Sequence, residues 1–252
     1  MRIPGGLPPR PASSCGVVEF ATSVPPAEAP REASRSRPAR RKPRGRRLFN
    51  HDRGLGFRHV AGADEAGRGC LAGPLVAAAV RFDYERLSLS DVRALSSLDD
   101  SKQHSVEARE ELYPRVLRVA AKVAVTSRCA RGIDERGLHR TNLDALSDVL
   151  RRVGCPGCLC LSDGFSVPAT GFEQRGLVGG DGRSAAIAAA SVVAKVTRDR
   201  FMRSMEERYP GWAFDLHVGY STPEHRAAIA RQGVSPLHRM SFQSVAYQQF
   251  AL

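Results

Sequence analysis

The sequence contains no stretch of about 18 consecutive apolar residues, so no helix in it reads as a membrane span. Its start lacks the charged-then-apolar order of a secretory signal, and Glu19, Glu28 and Glu32 weigh against an Arg-rich organelle-targeting segment. No second cysteine pair accompanies Cys155-Pro-Gly-Cys158, whereas structural zinc normally takes four ligands. His139 is the nearest other candidate, and no pattern joins it to that pair. The six cysteines (Cys15, Cys70, Cys129, Cys155, Cys158 and Cys160) suggest no disulfide framework, so a reducing, cytoplasmic setting is expected. Cys158 and Cys160 alternate along an apparent strand and suit the role of small buried side chains. There is no internal repeat.

Positive charge is in surplus: the formal net charge is +12 over 252 residues. That balance favours an anionic partner such as nucleic acid. The surplus is uneven. Of 38 basic and 26 acidic residues, 11 and 3 fall in residues 1–50, leaving 27 and 23 for the remainder. The run Arg35 to Arg47 is basic and broken by proline, with no apolar periodicity. Such a segment buries too little apolar surface to offset its ordering entropy. Residues 1–50 are therefore expected to be a disordered tail, and 51–252 the folded domain. Three roles for the tail are open: an electrostatic tether, an inert extension, or translation from a misplaced start.

The folded body is expected to begin near Arg58. His59 to Asp64 reads as a strand ending in acid, and Pro74 to Phe82 as a continuous buried strand. A helix is expected near 105–121, an alternating strand over Lys122 to Ser127, and a periodic helix over Asn142 to Val153. Cys158 to Ser162 forms a strand running into Asp163-Gly164, and a weak strand lies near 172–178. A long helix follows from Ser184 to Arg208, stopped by Tyr209-Pro-Gly211, and a short helix lies near 223–231. Early strands followed by strand–helix alternation, with acids at strand ends, predict an α/β fold with a mixed sheet flanked by helices.

The chemistry-bearing residues sit at those strand ends. Asp64-Glu65-Ala-Gly67-Arg68-Gly69 places two acids at the end of an apolar strand, then an arginine between glycines. Glycine lets backbone approach a ligand closely, and arginine suits phosphate. A plain strand-end turn with solvated acids is an equal reading of the pair alone. Asp163 fits an Asp-Gly turn as well as a ligand. Asp181, in a glycine-rich loop before the long helix, fits a cap as well. Gathered at one sheet edge, four such acids would raise one another's pKa, a cost that hard divalent cations remove. Two ions roughly 3.5–4 Å apart can support phosphodiester hydrolysis. Lys195 and Arg198, on the long helix, suit either a phosphate backbone or solvent. Tyr220, in His217-Val-Gly-Tyr-Ser-Thr222, suits stacking on a sugar or base, or plain packing.

Taken in order, these elements resemble ribonuclease HII. Asp64–Gly69 is similar to that family's Asp-Glu-x-Gly-Arg-Gly signature, and Asp100-Ser101-Lys102 resembles its Asp-Ser-Lys element. Asp163-Gly164 stands where its third acid is expected, and Gly180-Asp181 with the helix segment AAASVVAKVTRD resembles its fourth. HVGYST and His238-Arg-Met-Ser241-Phe242 are similar to its downstream motifs. Order and spacing match through residues 59–245. Two positions depart from the pattern: Gly179 and Val218 stand where the family often has lysine, which removes cations near the expected substrate groove. The related ribonuclease HIII usually has Gly-Lys-Gly after its acids and a folded N-terminal domain, unlike Arg68 and the Pro/Arg-rich start here.

The resemblance implies an RNase H-like mixed five-stranded sheet with a C-terminal helical extension forming one side of the groove. It implies an endonuclease that cuts the RNA strand of RNA–DNA hybrids and cuts 5′ of single ribonucleotides in duplex DNA, leaving 3′-hydroxyl and 5′-phosphate ends. Asp64, Glu65, Asp163 and Asp181 would bind Mg²⁺ or Mn²⁺. Gly67, Arg68, Gly69 and Tyr220 would read the junction, with Ser101, Lys102 and Lys195 also on the substrate. The 2′-hydroxyl is the group that separates RNA from DNA. Removal of misinserted ribonucleotides, by a monomer, is the expected role. A DNA nuclease or recombinase with a similar acid cluster, and a non-catalytic nucleic-acid-binding protein, are the competing classes.

Overall fold

The computed structural model describes residues 45–98, 105–167 and 170–242. Five strands make one sheet: β1 (His59–Ala66), β2 (Leu75–Asp83), β3 (Lys122–Arg128), β4 (Cys158–Asp163) and β5 (Glu173–Leu177). Their order is β3-β2-β1-β4-β5. β1 pairs antiparallel with β2 and parallel with β4, so the sheet is mixed, as expected. β3 adds antiparallel to β2, and β5 parallel to β4.

Side chains alternate across a strand, and the apolar sets follow that period. Val60, Val80, Phe82, Leu159 and Leu161 pack on one face with the long helix α6 (Ala185–Arg208). Ala61, Ala63, Ala77, Ala79 and Cys160 pack on the other with α5 (Leu138–Val153). α6 lies directly on β1: a Cβ at Gly62 would strike the Ala186–Ile187 backbone. The small residues from Ala185 to Ala190 permit that approach, and each is fully buried. α6 begins at Ser184, whose hydroxyl accepts from the Ile187 amide at 3.3 Å, as an N-cap does.

Helix α1 (Gly45–Gly54) crosses the boundary expected at residue 50. Leu48 and Phe49 have no exposed surface, and Phe49 packs against Phe82 with ring centroids 5.3 Å apart. Asp52 is also fully buried. Its carboxylate accepts from the Tyr84 hydroxyl at 2.9 Å, the Ser184 hydroxyl at 3.0 Å and the Ala186 amide at 3.0 Å. An acid at a helix N-terminus meets both orphan amides and the positive end of the dipole. Residues 45–50 thus belong to the folded body, because α1 brings the acid that anchors α6. The rest of the expected tail, residues 1–44, lies outside the described residues.

The remaining helices are α2 (Leu89–Ala94), α3 (Val106–Val119), α4 (Ala130–Arg136), α7 (Phe214–His217) and α8 (Pro223–Gln232). α7, α8 and the segment to Phe242 form the C-terminal extension. At its centre Phe214 packs against His217, His225 and His238. His225 and His238 are hydrogen-bonded to each other, and His217 stacks on His225 with ring centroids 4.1 Å apart. His217 Nε2 lies 2.7 Å from the Trp212 carbonyl, while its Nδ1 accepts from the Gly219 amide at 3.0 Å. His225 Nδ1 donates to the Tyr220 carbonyl at 2.8 Å, so its Nε2 is left to accept from His238 Nε2 at 3.1 Å. His238 Nδ1 accepts from the Ser235 amide at 2.8 Å. Each ring is neutral in this pattern, and burial holds His225 down at about 4 and His238 at about 3.

Candidate active site

Asp64 and Asp163 occupy adjacent strand ends. β1 and β4 run parallel with Ala63 opposite Ser162, so the next residue on each strand is an acid. Both strands place those residues on the α6 face by alternation. Glu65 follows Asp64 and faces the α5 side. Asp181 sits in the 3₁₀ turn Gly180–Gly182 that delivers the chain into α6, and it is 6% exposed. Asp163 and this turn are tied: Asp163 Oδ1 accepts the Gly180 amide at 2.7 Å. Asp181 Oδ1 accepts the Gly182 amide at 2.9 Å within its own turn.

The electrostatics show that Asp64, Glu65 and Asp163 share one neighbourhood. Burial, then the charge of Glu65, lifts the Asp64 carboxyl to about 8, and Asp163 adds to the rise. The Ser191 hydroxyl and the Glu65 amide oppose it, the amide donating to Asp64 Oδ1 at 2.7 Å. Glu65 is raised too, mainly by burial, with the Arg68 guanidinium countering. Arg68 Nη1 stands 3.5 Å from Glu65 Oε1. Among the described residues no three acidic, imidazole or thiol side chains close round a single point. The acids share a field rather than a finished cage. Their donor set is all oxygen and anionic, which fits a hard divalent cation, and a nearby cation would relieve the repulsion that lifts Asp64.

The loop after β1 divides its tasks. Gly67 has φ +83°, and a Cβ there would strike the Arg198 side chain, so this glycine serves the fold. Gly69 has open space around its Cα, so its backbone is free to meet a ligand. The Arg68 side chain is 44% exposed and lies 6.0 Å from the Phe165 ring centroid. Its carbonyl accepts from Arg239 Nη1 at 2.9 Å, which ties the loop to the C-terminal extension.

Arg198 has neither of the roles read from sequence. It is fully buried and donates to the carbonyls of Pro74, Val218 and Ala72 at 2.9, 2.8 and 2.9 Å. It is a clamp between the loop after β1 and the segment 217–220. Val218, one of the departures from the family pattern, has φ 44°, a costly conformation for a β-branched residue. Lys195 is engaged within the protein: Nζ lies 2.8 Å from Asp199 Oδ1 and 4.9 Å from the centre of the Tyr220 ring. Tyr220 is 40% exposed, and burial raises its hydroxyl above the ordinary phenol range. Ser101 and Lys102 lie outside the described residues.

Sequence patterns missed two neighbours of the acids and one anchor of the adjoining loop. Ser191 bonds Asp64 from the middle of α6. Asn142 lies beside Glu65, is fully buried, and by hydrogen bonding opposes the rise of the Glu65 carboxyl. Its signal was a polar residue on the stripe that continues through Leu146, Val149 and Leu150. Arg239, fully buried, donates to the Gly73 and Arg68 carbonyls; its motif marks the position but not that reach.

The sequence profile of the family described as Ribonuclease HII matches residues 61–245. A ribonuclease HII of Rhodococcus erythropolis strain PR4 is 44% identical over 190 residues, covering 75% of this chain and 82% of that protein. Among solved structures, the ribonuclease H2 of Pyrococcus horikoshii OT3 is similar with a TM-score of 0.62 at 24% identity, covering 73% of this chain and 94% of that one. Bst-RNase HIII in complex with Mn²⁺ is similar with a TM-score of 0.59 at 17% identity, covering 77% of this chain and 70% of that one. At these identities the two structures attest the fold.

Proposed function

The chain belongs to the ribonuclease HII family and is a ribonuclease H hydrolase, and on that premise we propose that it cuts the RNA strand of RNA–DNA hybrids and cuts 5′ of single ribonucleotides embedded in duplex DNA. The reading is carried by one observation: Asp64 and Asp163 end adjacent parallel strands, with Asp163 bonded to the turn that holds Asp181.

Asp64, Glu65, Asp163 and Asp181 would hold Mg²⁺ or Mn²⁺. A pair of such ions activates water and stabilises the leaving oxygen in phosphodiester hydrolysis. The protein's own part is positioning. The Gly180 and Glu65 amides fix one oxygen each of Asp163 and Asp64, and so orient the carboxylates before any ligand arrives. Arg68 partly neutralises Glu65 and has exposed surface to offer a phosphate. The Gly69 backbone, with no side chain around it, would approach the ribose and its 2′-hydroxyl. Tyr220 stands over Lys195, where its ring would pack on the next deoxyribose. An added hydroxyl would interfere there, which is how a junction is told from continuous RNA. The products would carry 3′-hydroxyl and 5′-phosphate ends.

We place the enzyme in the cytoplasm as a monomer, removing misinserted ribonucleotides. The direct test is cleavage of a long RNA–DNA hybrid by the purified chain with Mg²⁺ or Mn²⁺. Activity that stops on adding EDTA supports the reading, and full activity in excess EDTA refutes it.

A further inference from the structure

At the opposite end of β4 from Asp163 lies a cluster that the nuclease reading does not use. α5 ends at Val153, and Cys155-Pro156-Gly157-Cys158 turns the chain into β4. The turn is closed by the Cys158 amide donating to the Cys155 carbonyl at 3.0 Å, and Gly157 takes φ +71°. Proline second and a positive-φ glycine third are the residues of a type II turn, whose end Cα atoms lie within about 7 Å. Disulfides span Cα separations of about 4.4–6.8 Å. Cys160, two residues further along the same strand face, adds a third thiol, buried as Cys158 is.

The surroundings are cationic. Arg81, on β2, donates from Nη1 to the Val153 carbonyl at 2.8 Å. Its Nε is buried and has no hydrogen-bond partner among the described residues. Burial raises the Cys155 thiol above its ordinary range; the same guanidinium opposes that rise and also favours the Cys158 thiolate. A buried guanidinium N–H with no acceptor is costly, and a nearby thiolate would supply the acceptor. Exposure divides the pair: Cys155 is partly accessible, while Cys158 is 2% exposed. Zinc, the other chemistry a Cys-x-x-Cys pair suggests, lacks ligands, since no group of three forms among the described residues.

We propose that Cys155 and Cys158 are a redox-active dithiol that closes to a disulfide by exchange with a low-molecular-weight disulfide. Cys155, the accessible thiol, attacks the small disulfide as its thiolate. A Cys155 mixed disulfide forms and one small thiol leaves, taking up the proton. Cys158 then attacks the Cys155 sulfur as a thiolate and expels the second small thiol. Two protein thiols are oxidised and one small disulfide is reduced to two thiols. The neighbouring Cys160 thiol is the main influence lowering the Cys158 thiol below its ordinary range, with the Arg81 guanidinium adding to it, which supports its role as the resolving group. The disulfide lies one strand length, about 16 Å, from Asp163 and is a modification separate from the nuclease chemistry.

The test is treatment of the folded full-length chain with glutathione disulfide at neutral pH, followed by peptide mass mapping. The expected product has lost two free thiols and two hydrogen atoms, with Cys155 linked to Cys158. Cys158→Ser should instead hold one glutathione on Cys155, and Cys160→Ser should still form the linkage. Exposed Cys129 is the internal control for reagent activity. Glutathione on Cys129 with Cys155 and Cys158 still free would overturn the proposal. So would a stable mixed disulfide on Cys155 in the unmutated chain, or Cys155 left free of glutathione in Cys158→Ser.

Discussion

Asp64→Asn should raise the stability of the metal-free protein while abolishing cleavage. The Asp64 carboxyl stands at about 8 in the folded state against an ordinary 3.8. Its folded pKa is therefore above its unfolded one. Between those values the folded state binds a proton that the unfolded chain lacks, so this group's contribution falls as pH rises from 3.8 towards 8. At pH 7 about three pH units of that rise have been lost, a ceiling of roughly 4 kcal/mol. Asparagine carries no charge to desolvate and keeps an oxygen to accept the Glu65 amide. For a domain of this size, the gain corresponds to about 5–10 °C in Tm when relaxation absorbs part of it. The assay is thermal unfolding at pH 7 with EDTA and then with Mn²⁺, beside nuclease activity. The wild type should gain markedly from Mn²⁺ and Asp64→Asn much less. A mutant less stable than wild type in EDTA, with an undiminished Mn²⁺ increment, would refute the reasoning.

Tyr220→Ala should slow cutting at a single ribonucleotide by about one to two factors of ten more than cutting within a long hybrid. Equal losses on the two labelled substrates would make Tyr220 structural. Deleting residues 1–44 should leave the Tm unchanged, whereas deleting 1–50 removes buried Leu48 and Phe49 and should cost roughly 5 kcal/mol or more. Matching Tm values for the two truncations would contradict the role assigned to α1. Acid should loosen the C-terminal extension: His225 and His238 have folded pKa values of about 4 and 3, below the ordinary 6.5. Their stability is present above 6.5 and is lost as pH falls towards the folded values, about 2 kcal/mol each by pH 5. Asp64 has the opposite slope, so the measurement belongs in the Asp64→Asn background. Titration of both rings near 6.5 by NMR would exclude the neutral pair.

Much of the sheet was legible because its signals are local. The acid-terminated strand before Gly67, the apolar run of β2 and the alternation of β3 each appear with bounds close to those expected. α6 was equally plain, running from a Ser cap to Tyr209-Pro-Gly. α1 was hidden because its evidence is tertiary. Its sequence is basic and carries few apolar residues, and only the sheet shows why Leu48 and Phe49 matter. Arg198 was misread for the same reason: a charged residue on a helix looks solvated until three carbonyls from distant loops are seen around it. The four acids were candidates from sequence alone. Their relative placement, with Asp64 and Asp163 on one face and Glu65 turned to the other, required the register of β1 against β4.

The most direct test of the nuclease reading is cleavage of a DNA duplex carrying one ribonucleotide, with Mg²⁺ or Mn²⁺ and the product ends mapped. The account predicts a single cut on the 5′ side of the ribonucleotide, a 3′-hydroxyl and a 5′-phosphate, and no product in EDTA or with Asp64→Asn. An intact duplex under conditions where a long hybrid is cut, or a cut on the 3′ side, would contradict it.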